Sequence, residues 1–170
     1  LKVYDSDKNV ERIAGTDRYG TSEMVAKRVV GITGKKNTGV VASGQVFPDA
    51  LSVGTFASRE GYPILLVKKD SVPSQIQNAI KDLDINKTYI AGGTNTISKA
   101  TEAKLPRVEE RMAGKDRYET SVAIAKSKFG ASKEAYIASG EEFADALVIS
   151  PISGKFNRPT LLVSRNKNTN

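Results

Sequence analysis

The sequence predicts an α/β protein made of small parallel-sheet modules in tandem, and three observations support this prediction. Long blocks of sequence occur twice in the same order. Short aliphatic runs alternate with segments of helical periodicity, which favours βαβ units with helices on both faces of a sheet. The aliphatic runs are continuous rather than alternating, as expected for strands of a parallel sheet, which are buried on both faces.

The repeat consists of three blocks. The first recurs with an offset of 110 − 11 = 99 residues, and the others recur with offsets of 138 − 42 = 96 and 159 − 63 = 96 residues. The difference falls between Ser22 and Ser43, in a loose segment where insertions are tolerated. The pairs are "ERIAGTDRYGTS" (11–22) with "ERMAGKDRYETS" (110–121), "ASGQVFPDAL" (42–51) with "ASGEEFADAL" (138–147), and "PILLV" (63–67) with "PTLLV" (159–163).

This repeat divides the chain into a first module over residues 1–106 and a second over residues 107–170. The second module has no counterpart of the segment that follows "PILLV" in the first. We therefore expect a partner chain to complete it, or this chain to be a piece of a longer one; Leu1 in place of Met agrees with a mature or cut segment. An incomplete module should expose a sheet edge and apolar faces, which predicts self-association or association with the missing segment.

Each element of the first module follows from its local pattern. The segment "TSEMVAKRVV" predicts a helix with Thr21 or Ser22 as its N-cap. The predicted apolar face of this helix consists of Met24, Val25, Val29 and Ile32. The run "TGVVA" predicts a short strand. The segment "FPDALSVGTFASREG" predicts a helix that begins at Pro48 and ends at Gly61.

The remaining elements continue the alternation of strands and helices. "PILLV" predicts a buried strand, and "VPSQIQNAIKDL" predicts a helix. The apolar residues of that helix, at helical spacing, are Ile76, Ala79, Ile80 and Leu83. "KTYIAGG" predicts the next strand, "SKATEAKL" a short helix that Ser98 could cap, and "VEERMA" the strand that opens the second module.

The composition excludes several kinds of chemistry. The 170 residues contain no Cys and no His, so disulfides, thiolate nucleophiles, Ser-His-Asp triads and His-ligated zinc are excluded. Asp17 and Asp49 could be imagined as a glycosidase pair, but nothing in the sequence places them together. No apolar run approaches the ~18–20 residues of a membrane span. We therefore expect no enzyme, no catalytic, cofactor-binding or metal-binding residues, and no insertion into a membrane.

The net charge of +7 and the pI of about 9.5 favour an anionic polymer as partner: a nucleic acid, a membrane surface or an acidic wall glycopolymer. A solvated basic surface is the simpler alternative. Trp is absent and only 11 residues are Phe or Tyr, which disfavours stacking on neutral sugars and leaves no match to RNA-binding aromatic platforms. Charge-based recognition is therefore the prediction, and the exclusion of nucleic acid as the partner rests on the family resemblance described below.

Two kinds of turn could bind an anion. The "ASG" turns lead from a strand into a helix, where backbone amides suit an anionic group. They include Ser43 with Gly44 and Ser139 with Gly140. Asp residues in the helix turns that follow would repel an anion and have a simple role as helix caps. The turn "YIAGGTNTIS" could form a phosphate nest, or Gly92 and Gly93 could serve a tight turn.

The "RxAGxDRY" blocks hold paired guanidinium groups, Arg12 with Arg18 and Arg111 with Arg117. These pairs could bind carboxylate or phosphate groups through two hydrogen bonds each. The adjacent aspartates, one in each block, could equally neutralise them in internal ion pairs. The tyrosine of each block is expected to pack at the start of a helix.

These linked motifs, from about Val10 to Val163, closely resemble the clostridial cell-wall-binding repeat of type 2. That module occurs in S-layer and other cell wall proteins of Clostridioides difficile and related Gram-positive bacteria. The resemblance implies a toprim- or Rossmann-like α/β module, with three modules usually arranged around a pseudo-threefold axis. It also implies a secreted protein that is held at the cell wall or S-layer, without a covalent bond, through an anionic wall polysaccharide.

The resemblance and the motifs give two sets of candidate residues. The family's "ILL" element, associated with anchoring, falls on Ile64, Leu65 and Leu66, and in the second copy on Thr160, Leu161 and Leu162; Thr160 departs from the pattern. We expect this element to act through module integrity or packing between modules. The candidate polymer-binding residues are Arg12, Arg18, Ser43, Gly44, Arg111, Arg117, Ser139 and Gly140.

Two other functions remain open from the sequence. The segment could be the anchoring region of a wall hydrolase, such as an N-acetylmuramoyl-L-alanine amidase, whose catalytic domain lies outside these residues. It could also be a purely structural S-layer component. In each case further modules of the same type, in tandem or from another chain, are the expected partners.

Overall fold

The computed structural model describes residues 11–165, which contain six helices and six strands. The helices are α1 (Arg18–Thr33), α2 (Pro48–Glu60), α3 (Ser74–Asp82), α4 (Lys99–Glu102), α5 (Arg117–Phe129) and α6 (Phe143–Lys155). The strands are β1 (Thr38–Ser43), β2 (Ile64–Val67), β3 (Lys87–Ala91), β4 (Arg107–Met112), β5 (Tyr136–Ser139) and β6 (Thr160–Val163).

All strand pairs in the described residues are parallel, which confirms the predicted sheet type. The first sheet has four strands in the order β2-β1-β3-β4, and the second pairs β5 with β6. The register of β5 on β6 repeats that of β1 on β2, since Ser43 is opposite Val67 and Ser139 is opposite Val163. The two copies therefore share topology as well as sequence.

The first sheet is covered by helices on both faces, as predicted. Val41 points into an apolar core that contains residues of α1 and α3, whereas Val40 and Ala42 point into a second core with residues of α2 and α5. Neighbouring strand residues face opposite sides of a sheet, and here both sides are apolar. The continuous "VVA" run thus reflects burial on two faces.

The two copies are joined through β4. The predicted boundary at residues 106 and 107 lies just before this strand, and β4 pairs with β3 as the fourth strand of the first sheet. Helix α5 then packs on the same sheet, where Ile124 and Phe129 belong to the second core. The first residues of the second copy thus complete the core of the first.

Helix α1 begins earlier than predicted, and the apolar face assigned to it was wrong. Its N-cap is Asp17, whose side chain accepts hydrogen bonds from the amides of Tyr19 and Gly20 at 2.9 and 2.8 Å. Met24, Val25 and Ile32 are 39–70% exposed, and the buried residues of the helix are Tyr19, Gly20, Ser22, Ala26 and Val30.

Ser22 explains why the buried face was missed. Its hydroxyl donates to the carbonyl oxygen of Ile64 and accepts from the amide of Leu66, at 2.9 and 3.0 Å. A polar residue therefore faces the sheet, and it hydrogen-bonds to the edge of β2. Hydrophobicity alone gives no sign of this arrangement.

The other predicted elements are confirmed with small shifts of their ends. Helix α2 begins at Pro48 and is followed by Gly61 in the left-handed region at φ 72°, and Ser98 caps α4 through the amide of Thr101. In α3, Ile76 and Ala79 are fully buried.

Helices α2 and α6 form the contact between the two copies, and small residues let them approach closely. A Cβ on Gly154 would lie 2.7 Å from the side chain of Ser58, and one on Gly54 would lie 3.1 Å from Ser150 Oγ. The buried hydroxyl of Thr160 lies 2.9 Å from Thr55 Oγ1 and also 2.9 Å from Ser153 Oγ. Thr160, the residue that departs from the "ILL" pattern, therefore hydrogen-bonds across this contact.

The expected exposed edge and apolar faces are present in the second copy. Within residues 11–165, β5 is paired with β6 alone, and Ile137 is 69% exposed although Val41, at the equivalent position, is fully buried. Helix α6 exposes Phe143, Leu147 and Val148 by 54–72%. Self-association through these surfaces stays a prediction.

We predict that Gly154→Ala destabilises the protein by about 1–3 kcal/mol, because the added methyl group overpacks the contact between α2 and α6. Gly31→Ala in α1 is the matched control, since its Cβ would meet nothing within 4 Å. The control should gain about 0.5–1 kcal/mol from helix propensity. Chemical denaturation of both variants measures the difference, and equal midpoints would contradict the packing explanation.

Candidate functional site

The serine and glycine candidates lie at the carboxyl ends of parallel strands, where each strand leads into a turn. After β1, the hydroxyl of Ser43 accepts hydrogen bonds from the amides two and three residues later, both at 3.1 Å. Ser139 makes the same contacts after β5, at 3.1 and 3.2 Å. Both serines therefore shape their own turns.

The second arginine of each repeat fixes the same turn. Arg18 Nη1 donates to the carbonyl oxygen of Gly44 at 2.5 Å, and Arg117 Nη1 donates to that of Gly140 at 2.6 Å. A Cβ on either glycine would lie 2.5–2.6 Å from the ring of Tyr19 or the corresponding Tyr118. Glycine is therefore required at both turns, because the tyrosine ring of the repeat occupies the space of a side chain.

The first arginine of the second repeat joins three elements. Arg111, on β4, donates through Nη1 to the carbonyl oxygen of Gly92 at 2.7 Å and through Nη2 to Glu102 Oε2 at 2.9 Å. Its side chain is 13% exposed, and its buried Nε has no hydrogen-bond partner among the described residues. The hydrogen bond from Lys99, followed by that from Arg111, lowers the pKa of the Glu102 carboxyl, against the effect of burial.

Arg12 occupies the equivalent position in the first repeat but has different surroundings. It lies in an exposed segment without regular structure, and none of residues 11–165 provides a hydrogen-bond or ion-pair partner for its guanidinium. Asp17 and Asp116 cap α1 and α5 through their side chains. The structure thus gives these aspartates a role as helix caps and gives Arg18, Arg111 and Arg117 carbonyl partners.

The turn after β3 is a tight turn, the simpler of the two alternatives. Gly92 has φ 109°, a conformation that favours glycine. The Thr96 hydroxyl donates to the carbonyl oxygen of Gly93 at 2.9 Å, and the amide of Ile97 donates to the same oxygen at 3.0 Å. Both hydrogen bonds lie within the turn and stabilise its conformation.

A cleft of about 220 Å³ lies where three of these turns meet. The turns follow β1, β3 and β4, so the cleft is at the carboxyl ends of three parallel strands, where ligands of such sheets usually bind. It lies at the junction of the two copies. Its polar and charged residues include Asp49, Asn95, Thr96, Lys115, Asp116 and Arg117.

Asp49 is the buried acid of this cleft. It is 6% exposed and lies in the first turn of α2, and Thr96 Oγ1 is 3.4 Å from its Oδ2. Burial raises the pKa of the Asp49 carboxyl above its ordinary value of 3.8, although the hydrogen bond from Thr96 and the charge of Arg117 oppose this change. Asp145, at the equivalent position, is exposed.

A larger groove of about 610 Å³ lies between α5 and β6, lined by Val122, Leu161 and other residues. In the first copy, α3 covers the corresponding surface of α1 and β2, with Ile76 and Ala79 buried. The groove therefore corresponds to the surface that α3 covers in the first copy, and we take the smaller cleft as the candidate binding site.

Sequence reasoning found Arg117 of the cleft but not Asn95, Thr96 or Lys115. Asn95 and Thr96 lie in a turn of the first copy, whereas Lys115 lies in a turn of the second. No local sequence motif therefore contains all three residues. The glycine pair before Asn95 was the available signal. Among the described residues, no group of three or more acids could hold a metal ion, and no helix has the length and apolar character of a membrane span.

Comparison with known proteins decides the family. The family model described as "Cell wall binding domain 2 (CWB2)" matches residues 12–102 and 111–170, which is most of the chain. This chain belongs to the CWB2 family. The match confirms the resemblance noted in the sequence, and it begins and resumes at the two equivalent arginines, Arg12 and Arg111.

Two solved structures share this fold. Cwp8 from Clostridium difficile is 31% identical with a TM-score of 0.78, over 99% of this chain and 30% of that chain. Cwp6 from the same organism is 28% identical with a TM-score of 0.78, over 91% of this chain and 25% of that chain. These similarities confirm an α/β fold with tandem CWB2 modules.

Two curated relatives come from Bacillus subtilis (strain 168). The N-acetylmuramoyl-L-alanine amidase LytC is 33% identical over 156 residues, which is 92% of this chain and 30% of that protein. The amidase enhancer is 32% identical over 168 residues, which is 97% of this chain and 22% of that protein. The chain therefore spans less than a third of the length of each relative. As a CWB2 region, it is an extracellular cell-wall-binding segment.

We predict that Asp49→Asn stabilises the protein at pH 7. A carboxyl whose pKa is higher in the folded than in the unfolded state destabilises the fold once it is ionised. That penalty is complete above the raised pKa and disappears as the pH falls below 3.8, so the advantage of Asp49→Asn should shrink over the same range.

Thermal unfolding of both proteins between pH 7 and pH 3.5 measures this effect. Asp145→Asn is the matched control and should bring no comparable gain. An Asp49→Asn variant that is less stable than the parent at pH 7 would show that the carboxylate stabilises the cleft instead.

Proposed function

We propose that this CWB2 chain anchors a surface protein to the cell wall, without a covalent bond, by binding an anionic wall polysaccharide in the cleft between its two copies. The observation that carries the proposal is the position of this cleft, at the carboxyl ends of three parallel strands in a cell-wall-binding fold. Lys115 and Arg117 supply positive charge there, and the net charge of +7 adds a favourable long-range field.

The cleft suits a polar, charged polymer better than an apolar ligand. Lys115 is exposed at its rim, whereas the guanidinium of Arg117 is held in place by its bond to Gly140. Asn95 and Thr96 add side-chain groups that can hydrogen-bond to sugar hydroxyls. Asp49 lies at the buried end, where a carboxylate accepts hydrogen bonds but repels anions. We therefore place the anionic groups of the polymer at Lys115 and Arg117 and its hydroxyl groups at the turn after β3.

Most of the remaining candidate residues take one of two roles in this proposal. Five of them shape the turns after β1 and β5: Arg18, Ser43, Gly44, Ser139 and Gly140. The "ILL" element supports the modules. Thr160 illustrates the second role, because it hydrogen-bonds to Thr55 of the other copy. We also propose that further CWB2 modules, arranged in a threefold-like manner, cover the exposed apolar face of α6.

The segment itself is proposed to bind rather than to catalyse. It has no Cys or His, and its similarity to LytC is confined to 30% of that protein. This similarity favours a second candidate function, in which the chain anchors a wall amidase whose catalytic residues lie outside it. Both candidates assign the same task to these 170 residues.

The test is binding of the purified protein to protein-stripped cell walls across a salt series. Binding should weaken as salt rises, because mobile ions screen the contacts between charges. Walls from which the anionic polymer has been removed chemically should not bind. Binding that is insensitive to salt and to removal of the polymer would contradict the proposal.

We predict that Lys115→Ala weakens wall binding by up to about fivefold, since an exposed ion pair contributes about 0.2–1 kcal/mol. Lys133→Ala is the matched control: Lys133 is also exposed but lies before β5, outside the cleft. The control should bind as the parent does. Equal losses for the two variants would mean that net charge alone, rather than the cleft, determines binding.

A further inference from the structure

The first three residues of the blocks "ERIAGTDRYGTS" and "ERMAGKDRYETS" have the same sequence pattern but differ in their strand pairing. In the second copy, residues 110–112 belong to β4, which pairs with β3, with Arg111 opposite Ile90 and Met112 opposite Ala91. In the first copy, residues 11–13 have no strand partner among the described residues. The equivalent segment of the first copy is thus not part of a sheet in the described residues.

The turn that follows residues 11–13 has the same hydrogen bond and cap geometry as the turn that follows residues 110–112. The amide of Gly15 donates to Thr21 Oγ1 at 3.0 Å, as the amide of Gly114 does to Thr120 Oγ1 at 3.0 Å. The caps that follow agree as well, with φ −148° and ψ −175° at Asp17, against φ −140° and ψ −177° at Asp116. The turn after residues 11–13 is therefore already formed.

The glutamate before each arginine is held in a similar way. Glu110 accepts a hydrogen bond from Ser127 Oγ at 2.6 Å. Glu11 pairs with Arg28 at 3.1 Å, and Arg28 occupies the position equivalent to Ser127, since 28 + 99 = 127. Both contacts tie the segment to the helix that follows it. This leaves Arg12, like Arg111, on the segment that would lie against a β3-type strand.

We propose that residues 11–13 form the fourth strand of another repeat's sheet, by pairing with the open edge of a β3-type strand. In that position, Arg12 donates to the carbonyl oxygen of the first glycine of a Gly-Gly turn and to a carboxylate on an α4-type helix. Arg111, Gly92 and Glu102 provide the template for these contacts. The partner is defined by three features: a parallel strand edge, a glycine carbonyl and an acid.

This chain's own β3 cannot be the partner, because β4 already occupies its edge. Strand β5 has no β3-type strand beside it among the described residues. One of its edges is open there, and Ile137 is exposed. A β3-type strand paired with β5 would present the kind of edge that residues 11–13 fit. The inference concerns how repeats join and is independent of polymer binding.

The test is hydrogen–deuterium exchange of the intact protein that carries this chain. The amides of residues 11–13 should exchange slowly, within about tenfold of the amides of residues 110–112, because both segments would be paired strands. Arg12→Ala should speed exchange of residues 11–13 by about tenfold or more. It should also speed exchange of the strand that precedes a Gly-Gly turn in one other repeat.

Lys36→Ala, in the exposed turn before β1, is the matched control and should change neither segment. Exchange of β4 should stay the same in both variants, which shows that the first sheet remains folded. Unprotected amides at residues 11–13 in the intact protein would overturn the proposal. So would an Arg12→Ala effect that is confined to residues 11–13 and leaves every Gly-Gly strand unchanged.

Discussion

The structure depends on arginine side chains that donate to glycine carbonyl groups at the ends of strands. Arg18 binds the turn after β1, Arg117 binds the turn after β5, and Arg111 binds the turn after β3. Hydrogen bonds from a charged donor are stronger than those between neutral groups, and they satisfy buried carbonyls that would otherwise be costly. The "DRY" part of each block therefore fixes the start of a helix and the end of a strand at once, through an aspartate cap, an arginine and a tyrosine ring.

The second of these blocks joins the two copies. Its first arginine, Arg111, lies on β4, which completes the sheet of the first copy, and its second arginine, Arg117, lies in α5 of the second copy. Arg111 and Arg117 are only six positions apart (117 − 111 = 6), so a short segment connects two cores. The close contact of α2 with α6 and the hydroxyl pair Thr55 and Thr160 strengthen this connection. The candidate cleft forms at the same junction, and its shape depends on the relative position of the copies.

Much of the fold could be predicted because the duplicated blocks gave each pattern twice. The parallel strands, the ends of α2 and the exposed surfaces of the second copy followed from aliphatic runs, Pro48, Gly61 and the incomplete repeat. The face of α1 could not, because a buried serine bonds to the edge of β2 and outward-facing residues such as Ile32 are apolar. The site could be predicted only in part, since Lys115 and Asn95 come together through the pairing of β4 with β3. The spacing of residues along the sequence does not predict which strands pair.

The central claim is that the first arginine of a repeat connects consecutive modules, and the unfolding of Arg111→Lys tests it most directly. Lysine keeps the charge but cannot bond to Gly92 and Glu102 in the same planar geometry. We expect one calorimetric transition for the parent, and for Arg111→Lys either two transitions or a midpoint lower by several degrees, with about 1–3 kcal/mol lost. An unchanged single transition at the parental midpoint would mean that the modules are connected by other contacts.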